Sequence, residues 1–320
     1  MRTKRKLLVL TIITLIFIAL YMTIGLNFSS WKKISFSLSY RFPKLIAIII
    51  SAYAIGAATL VFQTIINNRI VTPCLLGMNA LYTLLHCTIA VIFGTGSVLL
   101  TNKNLSFGID LVIMSIVASI IYGLLFKATK YNVLYILLIG TVLTSFFGSV
   151  QETIVRGMNP SDYDSLLNTL VASFDHVNSD VIIISVITLL LITVVLFKDI
   201  RLLNVIALGK NQAVNLGVDY DRTIRRLLLG VVLYIAVATA LVGPISFLGL
   251  IVANLSRMLL KTYKHKYLII GTFLFGIMVL VGGQILVQHV FQYSVPVSVF
   301  VTIFGGIYFL YLILFKKRSI

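Results

Sequence analysis

Apolar residues fill ten stretches of this chain, each about fifteen to twenty-two residues long, with short polar segments between them. They cover roughly 7–26, 43–64, 73–93, 107–126, 131–151, 180–197, 223–242, 246–260, 267–287 and 296–315. Helices of that length match the hydrocarbon core of a bilayer. The pattern predicts an all-α polytopic membrane protein with about ten transmembrane helices, organised as one transmembrane domain over 1–320. Two longer polar segments interrupt the series. One lies at about 152–179 and contains "RGMNPSDYDSLLNTLVASFDHVNSD"; the other lies at about 199–222, within "KDIRLLNVIALGKNQAVNLGVDYDRTIRR".

Composition supports the membrane reading. The chain is 59% hydrophobic and 11% charged, with a mean hydropathy of +1.07, too little charge to cover a soluble domain. The net charge of +17 raises nucleic acid as a partner. The basic residues are dispersed among loops rather than gathered in one region, so no nucleic-acid role is expected. Their placement orients the chain instead. With the N-terminus inside, all of the 26 basic residues except Lys32, Lys33, Arg41, Lys44, Lys103 and Arg156 fall on the cytoplasmic side. The positive-inside rule then places both termini in the cytoplasm, the 152–179 segment outside and the 199–222 segment inside. The first apolar run, behind "MRTKRK", is too long for a signal-peptide core and is expected to stay as a span.

"LVGPISFLGLIVANLSRMLLK", Leu241 to Lys261, is apolar yet carries Gly243-Pro244 where a helix should continue. Arg222, Arg225 and Arg226 hold the preceding span's start inside, and Arg257 and Lys261 hold the end of the next one inside. The chain must therefore cross, turn near Gly243, and cross back. Pro244 is expected in the first turn of the new helix, where its missing N–H costs nothing. Pro73 marks a similar restart after the second span. This suggests an inverted repeat of spans two to five and seven to ten.

Chemistry-bearing residues are sparse. Cys74 and Cys87 are expected to pack, not to pair or bind metal. Of the polar residues within spans (Gln63, Asn79, His86, Gln151, Asn254, Gln284, Gln288 and His289), only His86 is ionisable at mid-span, and a neutral, hydrogen-bonded packing role is expected for it. Asp110 and Glu152 fall close to outer span ends. Gly209-Lys210 fails as a phosphate loop, because Asn211 follows the lysine and position 204 is Asn. In "ALGKNQAVNLG", Leu208, Ala213, Val214 and Leu216 can form one face of a short helix bounded by Gly209 and Gly217. A helix that short is marginal alone and needs a receiving surface. Its polar Asn211, Gln212 and Asn215 suit a protein partner better than lipid.

Three segments together carry a family resemblance. "GAATLVFQTIINNRIVTPCLLGMNA" is similar to a G-A-x-L-x-x-x-x-Q-x-x-x-x-N-P-L-A-x-P-x-x-L-G pattern. "ALGKNQAVNLGV" resembles a coupling loop, and "GPISFLGLIVANLSRML" resembles G-P-I-x-F-x-G-L-x-x-P-H-x-x-R. These are motifs of the permeases of bacterial ABC importers for iron–siderophores, haem and cobalamin, and the resemblance covers nearly the whole chain. Asn68-Arg69-Ile70-Val71 stands where the family has Asn-Pro-Leu-Ala, and Ala253-Asn254 where it has Pro-His.

The resemblance implies a permease subunit in the bacterial cytoplasmic membrane, most simply for iron–siderophore complexes, with haem or cobalamin as alternatives. It implies ABC ATPase subunits below, a substrate-binding lipoprotein or periplasmic protein above, and a second permease subunit, identical or different. It implies no cofactor and no catalytic or metal site in this chain. Leu208, Gly209, Ala213, Leu216 and Gly217 are the implied ATPase-coupling residues, and Arg41 and Lys44 the implied docking residues for the binding protein. Gly243, Pro244 and Gly249 are the implied gate turn. An ion-coupled secondary transporter would need carboxylates within its spans, which the sequence does not supply there. A membrane scaffold would not need the glycine-bounded inner helix.

Overall fold

The computed structural model describes residues 2–25, 31–129, 133–174 and 177–315. Lys130, Lys316, Lys317 and Arg318, counted above among the basic residues, lie outside the described residues. Among the described residues the chain is helical, with no strand. The helices are α1 (Arg2–Thr23), α2 (Trp31–Ile65), α3 (Met78–Phe93), α4 (Val98–Thr101), α5 (Lys103–Ala128), α6 (Val133–Arg156) and α7 (Pro160–Leu170). They continue as α8 (Ser179–Ile206), α9 (Lys210–Asn215), α10 (Tyr220–Val242), α11 (Leu248–Leu260), α12 (His265–His289) and α13 (Val297–Phe315). A 3-10 turn, Pro73–Leu76, precedes α3.

Seven of these helices are long and apolar enough to cross a membrane: α1, α2, α5, α6, α8, α10 and α12. Three shorter apolar stretches, Met78–Phe93, Leu248–Leu260 and Val297–Leu312, stand where the sequence pattern also has spans. The fold is that of a polytopic helical membrane protein.

Helices α2 and α10 form the centre. The apolar window of α2 is 83% buried inside the bundle and that of α10 72%, against 17% for α1 and 11% for α6. The outer helices leave apolar side chains such as Leu15, Val142 and Val195 exposed, as lipid-facing helices do. Close approach to α2 is built from small residues. Ala52, Gly56 and Thr59 recur at helical spacing on one face and meet Gly276, Thr272 and Gly249.

Boundaries differ from the sequence pattern in informative places. Helix α2 begins twelve residues before Pro43, which lies inside it; one missing backbone donor there does not end the helix. The described residues of the 152–179 segment are mostly helical: Asn159 and Pro160 start α7, whose Leu166 and Leu170 pack with Cys87 and Ala90. The 199–222 segment is helical through Ile206, where α8 ends. Pro244 is not in the first turn of α11. It sits in a connector running from Gly243 to Phe247, and no separate short helix precedes α11. Both cysteines are free thiols.

Candidate functional site

The α8–α10 connection is closed by backbone geometry. Gly217 (φ +81°) takes the left-handed position after α9. Its N–H donates to Val214 O (2.9 Å), and the N–H of Val218 donates to Ala213 O (3.0 Å). This is a Schellman closure, in which Val218 and Ala213 are the expected hydrophobic pair. At the other end Gly209 (φ +95°) lets the chain leave α8 and start α9 within three residues. Asp219 caps α10 by accepting from the Arg222 N–H (3.2 Å). Lys210 Nζ reaches Asp221 Oδ1 at 3.0 Å, an exposed pair of small energetic weight.

Within this frame the implied coupling residues divide. Ala213 is fully buried. Its receiving surface is the subunit itself, where α9 rests on α8 and α10. Leu208 (54% exposed), Val214 (51%) and Leu216 (62%) point away. They form an apolar tip on a segment that is otherwise polar. The expectation that Ala213 would face the partner is corrected by its burial; the outward residues are the other three.

The implied gate turn is compact. Gly243 (φ +90°) ends α10, and a Cβ there would lie 2.8 Å from Ala172 Cα. The Ser173 N–H donates to Val242 O (2.9 Å), and Ser298 Oγ donates to Ala172 O (3.0 Å). Residues 172–173 are therefore stitched onto this connector. Gly249, in the first turn of α11, faces Thr59 so closely that a Cβ would lie 1.9 Å from its Oγ1. That contact is internal to the subunit. The connector also meets the other helix restart: the Cys74 thiol donates to Ile245 O (3.7 Å) and Asn79 Nδ2 to Ser246 Oγ (3.0 Å).

Arg41 and Lys44 turn inward. Arg41 Nη1 donates to Tyr21 O (2.8 Å) and Met22 O (3.1 Å), satisfying carbonyls at the end of α1. Lys44 is 2% exposed, with Nζ 4.0 Å from the centre of the Tyr40 ring and 5.1 Å from that of Tyr293.

Two clusters were not assembled by the sequence reading. His86 Nε2 lies 3.0 Å from Asp110 Oδ2, both side chains are buried, and the Tyr82 ring packs on the imidazole. The hydrogen-bond partner of the one mid-span histidine is thus an acid read above as an outer-end residue. At the opposite restart, Gln63 Nε2 donates to Arg69 O (2.8 Å), Asn254 Nδ2 donates to the same carbonyl (3.3 Å), and Arg257 Nη1 donates to Gln63 Oε1. This fixes α2, the loop after it and α11 together. Helical spacing joins Asn254 to Arg257 in the sequence, but nothing there signals their partners.

Comparisons with known proteins give the arrangement a context. A family model described as the FecCD transport family matches residues 6–315. The chain is 38% identical over 319 residues to the petrobactin import system permease protein YclO of Bacillus subtilis (strain 168), covering all of both chains. It is 32% identical to the petrobactin import system permease protein FatC of Bacillus anthracis, covering 88% of this chain and 79% of that one. A solved structure of a metal-chelate type ABC transporter in an inward-facing conformation superposes with a TM-score of 0.77, at 21% identity, over 99% of this chain and 100% of the other.

Proposed function

We propose that the chain, which belongs to the FecCD transport family, is the membrane permease of an ABC importer that carries ferric siderophores of the petrobactin class. The protein is a transport permease of the bacterial cytoplasmic membrane and not an enzyme; ATP hydrolysis belongs to separate subunits. The observation that carries the substrate class is the end-to-end 38% identity to a petrobactin permease, joined by a second petrobactin permease at 32%.

The topology that fits best has ten spans with both termini in the cytoplasm. The seven long helices and three shorter apolar ones, with basic residues on one side, support it. Cysteines placed at Ser161 and Asn178 should then react with a membrane-impermeant reagent in intact cells, and one at Asn211 should not.

The α9 tip is the ATPase contact in this reading. Leu208, Val214 and Leu216 are exposed on and beside a short helix that packs on its own subunit through Ala213, so their burial awaits another protein. At the far end a substrate-binding protein docks, with the part-buried Arg41 as its candidate contact and Lys44 as an internal cation. The connector from Gly243 lies at the gate. A second permease subunit, identical or different, completes the translocation path.

The test is uptake. Cells or proteoliposomes holding this chain with its ATPase and second permease should accumulate ferric petrobactin, and omission of the ATPase should abolish accumulation. Leu216→Ser should leave the folded yield unchanged and release the ATPase from the purified complex. Uptake of haem or cobalamin in preference to ferric petrobactin would refute the substrate class, and full ATPase retention by a Leu208, Val214 and Leu216 triple serine variant would refute the contact.

A further inference from the structure

Beside the α8–α9 junction, where α2 ends and α12 begins, lies an open cavity of about 400 Å³. Its polar lining includes Gln63, Arg69, Arg257, Lys261, Thr262 and His265, and among the described residues no carboxylate lines it. Two guanidinium groups and an ammonium therefore face one concavity. Among the described residues, no ion pair involves any of the three. The hydrogen bond from Arg257 to Gln63 goes to a neutral oxygen.

The wall is also rigid. Gln63 spends its amide on the Arg69 carbonyl and its oxygen on Arg257. His265 is held on both ring nitrogens, Nδ1 by Asn204 Oδ1 (2.8 Å) and Nε2 by Thr64 Oγ1 (2.9 Å). Gln63 and His265 are thus already hydrogen-bonded within the protein, and among the described residues no carboxylate neutralises Arg69, Arg257 or Lys261. Clustered like charges in a cleft focus a positive potential. Paired guanidiniums match the geometry of a tetrahedral oxyanion. The lining adds Tyr263 (78% exposed), aromatic surface of the kind that accompanies membrane-interface sites.

We propose that this cavity binds a phosphate group, either the headgroup of an anionic phospholipid or free phosphate. Occupancy neutralises the cluster and braces the junction of α2, α11 and α12 next to the α9 tip. The site goes beyond the transport reading and is measured without transport, so its failure would leave that reading intact.

The test uses the full chain in phosphatidylcholine nanodiscs, titrated with phosphatidylglycerol or with inorganic phosphate against chloride at constant ionic strength. The thermal unfolding midpoint and the lipid retained in native mass spectrometry are read. Phosphatidylglycerol should be retained at one molecule per chain, or phosphate should raise the midpoint where chloride does not; the first result assigns a lipid source and the second a free anion. Arg257→Gln should weaken either binding at least tenfold. Because loss of its bond to Gln63 can unfold the chain, Arg69→Gln with Lys261→Gln, both at exposed positions, provides the second arm and should weaken binding tenfold. Equal responses to phosphate and chloride with no lipid retained would overturn the proposal, as would undiminished binding in the double variant. So would a cross-link showing an ATPase carboxylate seated against Lys261 in the assembled complex.

Discussion

The two helix restarts, residues 66–77 before α3 and 243–247 before α11, use the same device and are locked in different ways. Each interrupts an apolar run, each contains a proline (Pro73, Pro244), and each enters a short helix through a left-handed residue, Gly77 (φ +93°) or Phe247 (φ +60°). The first is held by polar groups: Gln63 and Asn254 on the Arg69 carbonyl, and Asn68 Oδ1 accepting from the Ile70 N–H (2.9 Å). The second adds tight steric contacts, Gly243 against Ala172 and Gly249 just after it against Thr59, to the hydrogen bonds that reach it from Ser173, Cys74 and Asn79. Apolar side chains lend themselves to a steric lock. A loop with exposed Asn67 and Arg69 has water and hydrogen-bond donors available instead. A steric lock has one packing solution, whereas a polar lock can exchange partners. If one restart shifts during a transport cycle, the polar one offers the lower barrier.

The largest effect should come from Gly249→Leu. Even a Cβ would overlap the fully buried Thr59, and three further carbons have no space on the central helix. Overpacking of this kind costs about 1–3 kcal/mol or more, and the expected result is loss of folded protein on size-exclusion chromatography. Thr59→Gly should restore part of the yield. Normal yield in the single variant would remove the steric half of the comparison.

Next come Gly243→Ala and Gly77→Ala as a pair. Both positions have positive φ, which costs an alanine about 1 kcal/mol or more. Gly243 adds a contact at 2.8 Å with backbone, while the nearest atom to a Cβ at Gly77 is Thr144 Oγ1 at 3.3 Å. Gly243→Ala should therefore lower the thermal midpoint more than Gly77→Ala. The reverse order would mean that the first restart is the more tightly packed one.

How much of this the sequence disclosed depends on the kind of signal. Membrane-length apolar runs are self-announcing, and Gly243-Pro244 and Pro73 advertise breaks, so the helices and both restarts were legible. The facing of individual side chains was not. Helix α12 is apolar on all sides, and such helices carry no amphipathic stripe to say which face is central. The short α9 offered Ala213 and Leu216 as equivalent members of one face, and only tertiary packing turned the first inward and the second outward. Arg41 and Lys44 read as surface cations because local sequence cannot show the α1 carbonyls or the Tyr293 ring that receive them. His86 and Asp110 are 24 residues apart, and neither residue's neighbours point to the other.

Gln63→Leu should cost less than Gly249→Leu. It removes two hydrogen bonds and leaves the Arg257 guanidinium without Gln63 Oε1. Asn254 still serves the Arg69 carbonyl. Broken bonds to a charged group cost about 1.5–3 kcal/mol, less than the steric overlap at Gly249. A midpoint unchanged from the parent would show that the Arg69 loop is held by something other than this network.

The smallest effect belongs to the bond that joins the two restarts. Asn79 Nδ2 donates to Ser246 Oγ at 3.0 Å, while Asn79 Oδ1 is buried with no partner among the described residues. Asn79→Ala removes a hydrogen bond worth about 0.5–1.5 kcal/mol and also removes an acceptor whose desolvation was uncompensated. The two changes oppose each other, so the net loss should fall below about 1 kcal/mol. Ser246→Ala keeps the unsatisfied oxygen and frees the amide as well, so it should be the more damaging single change. A double-mutant cycle then isolates the link itself: if the restarts are mechanically joined, the losses should be less than additive by about 0.5 kcal/mol or more. Strict additivity would mean that the polar and steric locks act independently, and that movement in one need not reach the other through this contact.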